Sequence, residues 1–257
     1  MTAAELDGLR AVVGSQPHRI RVVETAAGRV VVKQQRPSRS PWRGRALNLL
    51  ARALGLRLLQ AVPAHGGARG QAIEVDRLRR LAQAGVRVPP VLHVEGDFFV
   101  VAYLDGRPLV EIIERGGVAG VAAWQRGLAA LVDLHRRGGY LSHAFARNFL
   151  DSPAGLAMID FEDDPLEAMT LAEAQARDWL AYLHSTAWLL PRDIARDALA
   201  RHLASERADV RALVEDAGRR LAMLRHLPRT RRVWGREVVG AQAAASLLSP
   251  APAPAGQ

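Results

Sequence analysis

Residues 146–162 read ARNFLDSPAGLAMIDFE, a pattern typical of a β-hairpin. Apolar residues on either side of the turn-forming segment 151–155 predict two short antiparallel strands. Antiparallel pairing would bring Asn148, before the first strand, to roughly 5 Å from Asp160, after the second. An amide oxygen and a carboxylate that converge in this way suit Mg²⁺. The alternative interpretation is a capping Asn and a surface Asp.

The chain before this hairpin predicts a small antiparallel sheet. Apolar and β-branched runs predict three strands, at 9–13, 20–23 and 30–32, in meander order. The third strand ends at Lys33, the only lysine of a chain that has 35 basic residues, Lys and Arg together. A lone lysine among arginines indicates either a site that needs a compact ammonium group or chance.

Two further features complete the first hundred residues. Helical spacing predicts a helix over 71–84 that ends at Gly85, and two strands follow at 91–95 and 98–103. The sheet would then have about five strands. The basic apolar stretch 42–59 also has helical spacing, and two interpretations stay open: a helix packed on the sheet, which we favour, or one resting on an anionic membrane surface.

Beyond residue 104 the pattern is mainly helical. One helix containing Trp124 is predicted to end at 138–139, and two more are predicted near 171–190 and 194–224. The Pro/Ala-rich tail 249–257 is predicted to be disordered. The expected organisation is a sheet region over 1–104, which contains the 42–59 insertion, and a helical region over 105–248, which contains the hairpin segment 140–162.

Composition excludes several classes of function. The chain of 257 residues has no cysteine, which excludes disulfides, thiolate zinc sites and cysteine nucleophiles. No apolar run is long enough for a membrane span, and the first ten residues lack secretory-signal features, so we expect a cytoplasmic protein, at the inner membrane face if 42–59 binds lipid. The net charge of +9 raises nucleic-acid binding as a further hypothesis. That hypothesis is disfavoured because no nucleic-acid-binding motif accompanies the charge.

The order of these parts resembles the protein-kinase-like superfamily, and in particular its atypical bacterial branch. That branch includes RIO-type kinases, lipopolysaccharide-core sugar kinases and aminoglycoside phosphotransferases. The resemblance extends over about residues 9–190. It is carried by VVVK at 30–33, EVDRL at 74–78, GVRVP at 85–89, LHRRG at 134–138, ARNFL at 146–150 and IDFE at 159–162.

The resemblance implies an α+β bilobal fold, with a small antiparallel-sheet lobe that carries one key helix and a larger helical lobe. It implies transfer of the γ-phosphoryl group of Mg-ATP to a hydroxyl of a saccharide, a lipid-linked sugar or a protein serine. Lys33, paired with Glu74, would contact the phosphates, and Tyr103 lies where the hinge would bind adenine. Asn148 and Asp160 would hold Mg²⁺.

Two more residues acquire roles from the resemblance. Asp178 matches a helix carboxylate that braces the catalytic loop through its backbone amides. His143 occupies the position of the catalytic Asp, five residues before Asn148. It is either the base that accepts the hydroxyl proton or the mark of a pseudokinase, a nucleotide-binding or scaffold module without activity.

Two local features complete the expectations. A glycine-rich phosphate loop is lacking, and only 14–15 or Gly28 could take its place. Asp163 and Asp164, which follow the hairpin, are interpreted as solvent-facing loop residues rather than as ligands of a second metal.

Overall fold

The structure is a computed structural model, and it describes residues 2–15, 18–26, 28–37, 48–49, 51 and 55–249. Its first sheet is antiparallel, with strand order β1-β2-β4-β3. The strands are β1 (Ile20–Thr25), β2 (Gly28–Gln34), β3 (Val91–Val94) and β4 (Phe98–Ala102). Two helices accompany the sheet, α1 (Ala3–Ser15) and α2 (Gly67–Gln83).

Helix α1 replaces the strand predicted at 9–13, and that prediction was wrong. Leu6, Leu9 and Val13 are spaced by three and four residues, which is helical periodicity that a five-residue window does not reveal. Leu9 packs with Val13 on the sheet face formed by the buried core residues Val30, Val32, Phe98 and Val100. Among the residues that the structure describes, the sheet therefore has four strands instead of about five.

The opposite face of the sheet carries Lys33. Strand register places Lys33 beside Phe99 on β4 and Ile20 on β1, so these three side chains share one face. Alternation along β2 therefore sends Val32 to the α1 side and Lys33 to the other side.

Helix α2 confirms the predicted helix over 71–84, although it begins four residues earlier. Its buried residues include Val75, Leu78 and Leu81, which form one apolar stripe. Gly85, with φ of +74°, follows the last turn in the left-handed region that glycine adopts without strain.

Most of the 42–59 stretch lies outside the described residues. At its end, Arg57–Leu59 forms a single 3₁₀ turn with Leu58 buried. Arg177 fixes this turn by donating hydrogen bonds to the carbonyls of Leu58 and Gln60 at 2.9 and 2.6 Å.

The second half of the chain confirms the predicted hairpin. Strand β6 (Phe149–Ser152) pairs with β7 (Gly155–Met158), and β5 (Arg107–Pro108) pairs with the other edge of β6. The helices of this half are α3 (Leu109–Glu114), α4 (Gly117–Arg136), α5 (Leu171–Thr186), α6 (Arg192–Ala204), α7 (Ala208–Arg220) and α8 (Arg231–Leu248).

Two features of this half differ from the sequence expectations. The segment 194–224, predicted as one helix, is α6 and α7 with a break at 205–207. The segment 231–248, left without a prediction, forms α8, which is kinked at Gly235 where φ is +78°. The predicted tail lies outside the described residues apart from Ser249, which is buried.

The core of the second half forms where α4 crosses α5. Trp124, Trp179 and Tyr182 are fully buried there. The two helices approach closely because Gly127 lacks a side chain: a Cβ at this position would lie 2.0 Å from the Tyr182 hydroxyl. The architecture is therefore α+β with two small antiparallel sheets. Within the described residues, no helix is both long and apolar enough to cross a lipid bilayer.

Substitution of Leu9 tests the packing of α1 against the sheet. Because Leu9 is only 2% exposed, Leu9→Ala is expected to lower the free energy of unfolding by about 2–3 kcal/mol through lost burial and a residual cavity. Urea denaturation measures this loss, and Met223→Ala, at a position that is 66% exposed, is the control. Equal stability of the two variants would contradict the packing.

Candidate functional site

Lys33 and Glu74 form an ion pair that joins strand β2 to helix α2. The Glu74 side chain is 4% exposed and that of Lys33 is 13% exposed. The ammonium also lies 5.9 Å from the ring centroid of Phe99, its neighbour on β4. The expected pairing of these residues is thus present in the structure. A point cation held by a buried carboxylate on a sheet face is suited to binding an anion that approaches from outside.

Arg77 links the same helix to two loops. It lies three residues after Glu74, on the same face of α2, and it is 4% exposed. Its guanidinium donates hydrogen bonds to the backbone carbonyls of Tyr140, Leu141 and Asp163. Burial lowers its pKa from the ordinary value. Sequence reasoning missed this residue, although an arginine within an apolar helix stripe was a readable signal.

Asn148 and Asp160 meet at the open end of the hairpin, as the pairing of strands predicts. The Asn148 amide donates to Asp160 Oδ2 at 3.3 Å and to the His143 carbonyl at 2.8 Å. Both amide hydrogens are therefore used, and the amide oxygen is left as the atom that can bind a cation. Asp160 has φ of +72°, a conformation rare for residues other than glycine and typical of functional loops.

Asp178 braces the loop that precedes Asn148. Its two carboxylate oxygens accept hydrogen bonds from the backbone N–H groups of Leu141 and Ser142, at 2.6 and 2.9 Å. Ser142 has φ of +72°, so two buried charge-assisted hydrogen bonds hold a strained turn. The bracing geometry expected for Asp178 is present.

A second carboxylate lies behind Asp178, with a histidine between the two. His135 has Nε2 at 3.5 Å from Asp178 and Nδ1 at 2.7 Å from Glu206, and all three side chains are buried. The longer contact exceeds ordinary hydrogen-bond length, so it is an ion pair that orients the ring loosely. Glu206 also accepts a hydrogen bond from Trp179 Nε1 at 3.0 Å.

The charges in this triad of Asp178, His135 and Glu206 stabilise one another. Burial by itself lowers the pKa of His135, but its contacts with Asp178 and Glu206 outweigh burial, so the pKa lies above the ordinary value. For Glu206, burial by itself raises the pKa, but the hydrogen bond and charge of His135, together with hydrogen bonds from the Arg207 N–H and Trp179, outweigh burial, so the pKa lies below the ordinary value. The imidazolium form is therefore favoured between two carboxylates.

The acidic residues after Asp160 do not face solvent, which corrects the sequence interpretation. Glu162 forms ion pairs with Arg19 and Arg36, and Asp163 pairs with Arg36. Asp163 is 3% exposed. Asp164 is partly buried and accepts a hydrogen bond from the Tyr140 hydroxyl at 2.8 Å.

Glu162 is the residue of this acidic segment whose pKa is affected by the charge of Lys33. Burial alone raises the pKa of Glu162, but Arg19, Arg36 and Lys33 together hold it below the ordinary value. Lys33 thus lies close enough to act on a carboxylate two residues from Asp160. The sequence did not reveal Arg19 and Arg36 as partners of Glu162, because both are distant from it in the chain and the chain contains many other arginines.

His143 lies beside the loop that carries Asn148. Its Nε2 is 3.6 Å from Asp163 Oδ2, and its ring stacks on that of Phe145 with centroids 6.0 Å apart. The imidazole is neither fully buried nor fully exposed. A carboxylate therefore lies beside one ring nitrogen of His143.

Tyr103 lies at the end of β4, apart from the other candidates. The Arg29 guanidinium lies 4.2 Å from the ring centroid of Tyr103. The backbone N–H of Tyr103 donates a hydrogen bond to the Arg29 carbonyl at 3.2 Å.

On the sheet face that carries Lys33, the β1 residues Ile20 and Val22 are 49% and 54% exposed. Apolar surface therefore lies open beside the lysine.

The donor set limits which metal could bind. Among the residues that the structure describes, no group of three or more His, Cys, Asp or Glu is placed to hold a metal. Asn148 and Asp160 together offer two oxygen ligands. That set fits Mg²⁺, which is commonly bound through one or two protein oxygens together with phosphate and water, better than it fits zinc.

Comparison with known proteins adds no family assignment. No protein-family model matches the chain, and no curated protein sequence matches it.

Substitution of Glu206 tests the buried triad. Glu206→Gln leaves His135 with one carboxylate and is expected to lower the free energy of unfolding by about 3 kcal/mol. Glu215→Gln, at an exposed site on α7, is the matched control and is expected to stay within about 0.5 kcal/mol of the native protein.

The pH dependence of stability gives a second readout of the triad. A raised His135 pKa contributes stability that is fully present below 6.5 and is lost as pH rises through the folded-state value. A lowered Glu206 pKa contributes stability that is present above 4.5 and is lost as pH falls through the folded-state value. In Glu206→Gln the alkaline loss should move to lower pH, which urea denaturation at a series of pH values measures. Parallel pH profiles of the native protein and this variant would contradict the charge assignment.

Proposed function

We propose that this protein is a phosphotransferase of kinase-like, bilobal architecture that moves the γ-phosphoryl group of Mg-ATP to a hydroxyl acceptor. The observation that carries the proposal is the coexistence of two pairs. Lys33 and Glu74 form an ion pair on the sheet face, and Asn148 and Asp160 converge at the hairpin end. Arg36, three residues after Lys33, forms ion pairs with Glu162 and Asp163, which follow Asp160, and these contacts tie the two pairs to one region.

Phosphoryl transfer needs these groups in these places. The triphosphate carries several negative charges, and catalysis depends mainly on positioning and on compensating that charge. Lys33 would bind phosphate oxygens, and Asn148 and Asp160 would hold Mg²⁺, which would offset phosphate charge when bound. Ile20 and Val22 supply apolar surface for a purine base on the same face as Lys33.

The acceptor hydroxyl must lose its proton as its oxygen bonds to the γ-phosphorus. The bond between that phosphorus and the oxygen bridging to the β-phosphate breaks, and ADP leaves with the electron pair. His143 in its neutral form would accept the hydroxyl proton, and Asp163 at 3.6 Å would stabilise the imidazolium. Asp178 would keep His143 in place through the amides of Leu141 and Ser142.

Nucleotide binding is the first test. A non-hydrolysable ATP analogue should bind in calorimetry with Mg²⁺ and at least about tenfold more weakly without it. Lys33→Met should weaken binding by about tenfold or more through loss of charge-assisted hydrogen bonds. Arg201→Met, at an exposed position of α6, is the control.

A second variant keeps that test decisive. Because Lys33→Met leaves Glu74 buried without its partner, Lys33→Met/Glu74→Gln removes both charges and should stay folded in urea denaturation. Absent nucleotide binding, or native affinity in either Lys33 variant, would overturn the proposal.

His143 favours a second candidate, a pseudokinase that binds nucleotide without turnover. The position that carries a carboxylate in the resembled family has an imidazole here, and this imidazole lies 3.6 Å from the Asp163 carboxylate. The two candidates differ in whether His143 touches the reacting hydroxyl.

Phosphorus NMR of ATP hydrolysis, with water as acceptor, separates the candidates. If the protein is an enzyme, His143→Ala should slow hydrolysis by about 100-fold or more, and His143→Asp should restore it in part. His226→Ala, at an exposed histidine, should have no effect. Nucleotide binding without hydrolysis in the native protein would select the pseudokinase.

A further inference from the structure

Two arginines of α6 converge on one carbonyl group near the end of α8. Arg192 and Arg196 each donate a hydrogen bond from Nη2 to the carbonyl oxygen of Ser246, at 3.0 and 3.1 Å. Because they are four residues apart, the two side chains project from the same face of α6. Their guanidinium groups therefore lie side by side, although like charges repel one another.

A third arginine is held next to this pair by α8. The Gln242 side chain, one turn before Ser246, donates from Nε2 to the Arg225 carbonyl at 2.9 Å and to the Ser246 hydroxyl at 3.0 Å. Gln242 thus fixes the backbone of Arg225 beside the helix turn that Arg192 and Arg196 contact.

Electrostatic repulsion identifies a fourth member of the group. Partial burial and three neighbouring positive charges lower the pKa of Arg192 from its ordinary value. These charges belong to Arg196, Arg229 and Arg225. Arg229 is therefore close enough to Arg192 to act on it. We call the four residues Arg192, Arg196, Arg225 and Arg229 the arginine cluster.

The arginine cluster lacks an acidic partner within the described parts of the chain. None of its four guanidinium groups forms an ion pair with a carboxylate of those residues. Asp193 and Asp197 adjoin Arg192 and Arg196 in the chain, but both are exposed and neither pairs with them. The positive charge of the cluster is thus uncompensated.

Stabilisation of the end of α8 accounts for only part of this arrangement. Ser246 lies in the last turn, whose carbonyl groups lack partners within the helix and together carry about half a negative charge. Four positive charges exceed that charge several-fold. Within the described residues, the side chains of Arg225 and Arg229 donate to no protein oxygen, and the buried Nε–H of Arg196 has no acceptor. Charge and donors are therefore left over for a ligand.

The chemistry of these groups favours clustered phosphates. A guanidinium group binds phosphate oxygens through two parallel hydrogen bonds. One phosphate group carries a charge of about −1.5 to −2 at neutral pH, so at least two are needed to balance four arginines.

We propose that the arginine cluster is a binding site for an anion with two or more phosphate groups, either a soluble compound or adjacent lipid headgroups at a membrane surface. The inference goes beyond the proposed function and does not depend on it, because the cluster shares no residue with the groups assigned to phosphoryl transfer. Helix α8, for which the sequence gave no prediction, holds this site together.

Pyrophosphate is the probe for the soluble ligand, in calorimetric titrations of the full chain without nucleotide or metal. The native protein should bind it with a dissociation constant below about 1 mM and more tightly than inorganic phosphate. Arg225→Gln/Arg229→Gln should weaken binding by about tenfold or more through loss of charge-assisted hydrogen bonds. Both positions are exposed and their side chains hold no helix end, so this variant should remain folded in urea denaturation.

Two comparison variants locate the binding. Arg115→Gln/Arg201→Gln removes two exposed charges outside the cluster and so matches the change in net charge. Its affinity for pyrophosphate should equal that of the native protein. Lys33→Met, which alters the phosphate-binding group of the proposed function, should also leave this affinity unchanged.

Cosedimentation with lipid vesicles tests the membrane ligand. The vesicles are phosphatidylcholine with about 20% phosphatidic acid, and pure phosphatidylcholine vesicles are the comparison. Binding that requires phosphatidic acid and is lost in Arg225→Gln/Arg229→Gln would support lipid headgroups as the ligand. Pyrophosphate binding without vesicle binding would support a soluble ligand.

Three results would overturn the inference. The first is a native protein that binds neither pyrophosphate nor phosphatidic acid vesicles. The second is equal weakening in Arg225→Gln/Arg229→Gln and Arg115→Gln/Arg201→Gln, which would indicate a diffuse effect of net charge. The third is pyrophosphate binding that is lost in Lys33→Met but retained in Arg225→Gln/Arg229→Gln, which would place the anion at Lys33 and leave the phosphotransferase proposal standing.

Discussion

The position of helix α2 determines the ion pair between Lys33 and Glu74. It also determines the geometry of the loops whose backbone Arg77 contacts. Glu74 reaches the sheet, and Arg77, three residues later on the same helix face, reaches the backbone of the loops that carry His143 and Asp163. One rigid helix therefore sets the distance between a strand of the first sheet and the segments around the hairpin. Displacing α2 would leave buried charges at both ends without partners, which is costly in a low-dielectric interior.

The buried charges of the described chain are concentrated around this helix and its partners. Each is matched by an opposite charge or by backbone hydrogen bonds, and carboxylates that would repel one another are separated by cations. In a protein with a net charge of +9, the buried carboxylates thus form a local acidic region whose negative charge is balanced by neighbouring cationic side chains. The buried charged residues are Arg36, Glu74, Arg77, His135, Glu162, Asp163, Asp178 and Glu206.

Local sequence patterns predicted the structure correctly where interactions between residues close together in the chain determine it. The hairpin that joins Asn148 to Asp160 followed from turn residues and apolar runs, and helix α2 followed from its apolar stripe and Gly85. The ion pair of Lys33 with Glu74 and the bracing by Asp178 were reached through a family resemblance, because nothing in local spacing links residues so far apart in the chain. The nucleotide, the metal and the kinase-like lobes remain predictions.

Local patterns failed where tertiary packing decides. The 9–13 segment is apolar enough for a strand, but it folds as part of α1 because Leu9 and Val13 cover one face of the sheet. The acidic residues after Asp160 looked like a solvated loop, and their burial depends on Arg19 and Arg36, more than a hundred residues earlier. The His135 triad likewise joins three helical regions, which no periodicity reveals.

The single lysine allows the central claim to be tested directly, because ¹³C-lysine labelling gives one side-chain signal, that of Lys33. With Mn²⁺ and ADP added, paramagnetic broadening of this signal reports whether the lysine lies near a metal held at Asn148 and Asp160. Strong broadening is expected that requires both ligands and is lost in Asp160→Asn, a substitution that the left-handed backbone at this position tolerates. A Lys33 signal that stays sharp, or that broadens equally in Asp160→Asn, would contradict the placement of Lys33 beside a metal site at Asn148 and Asp160.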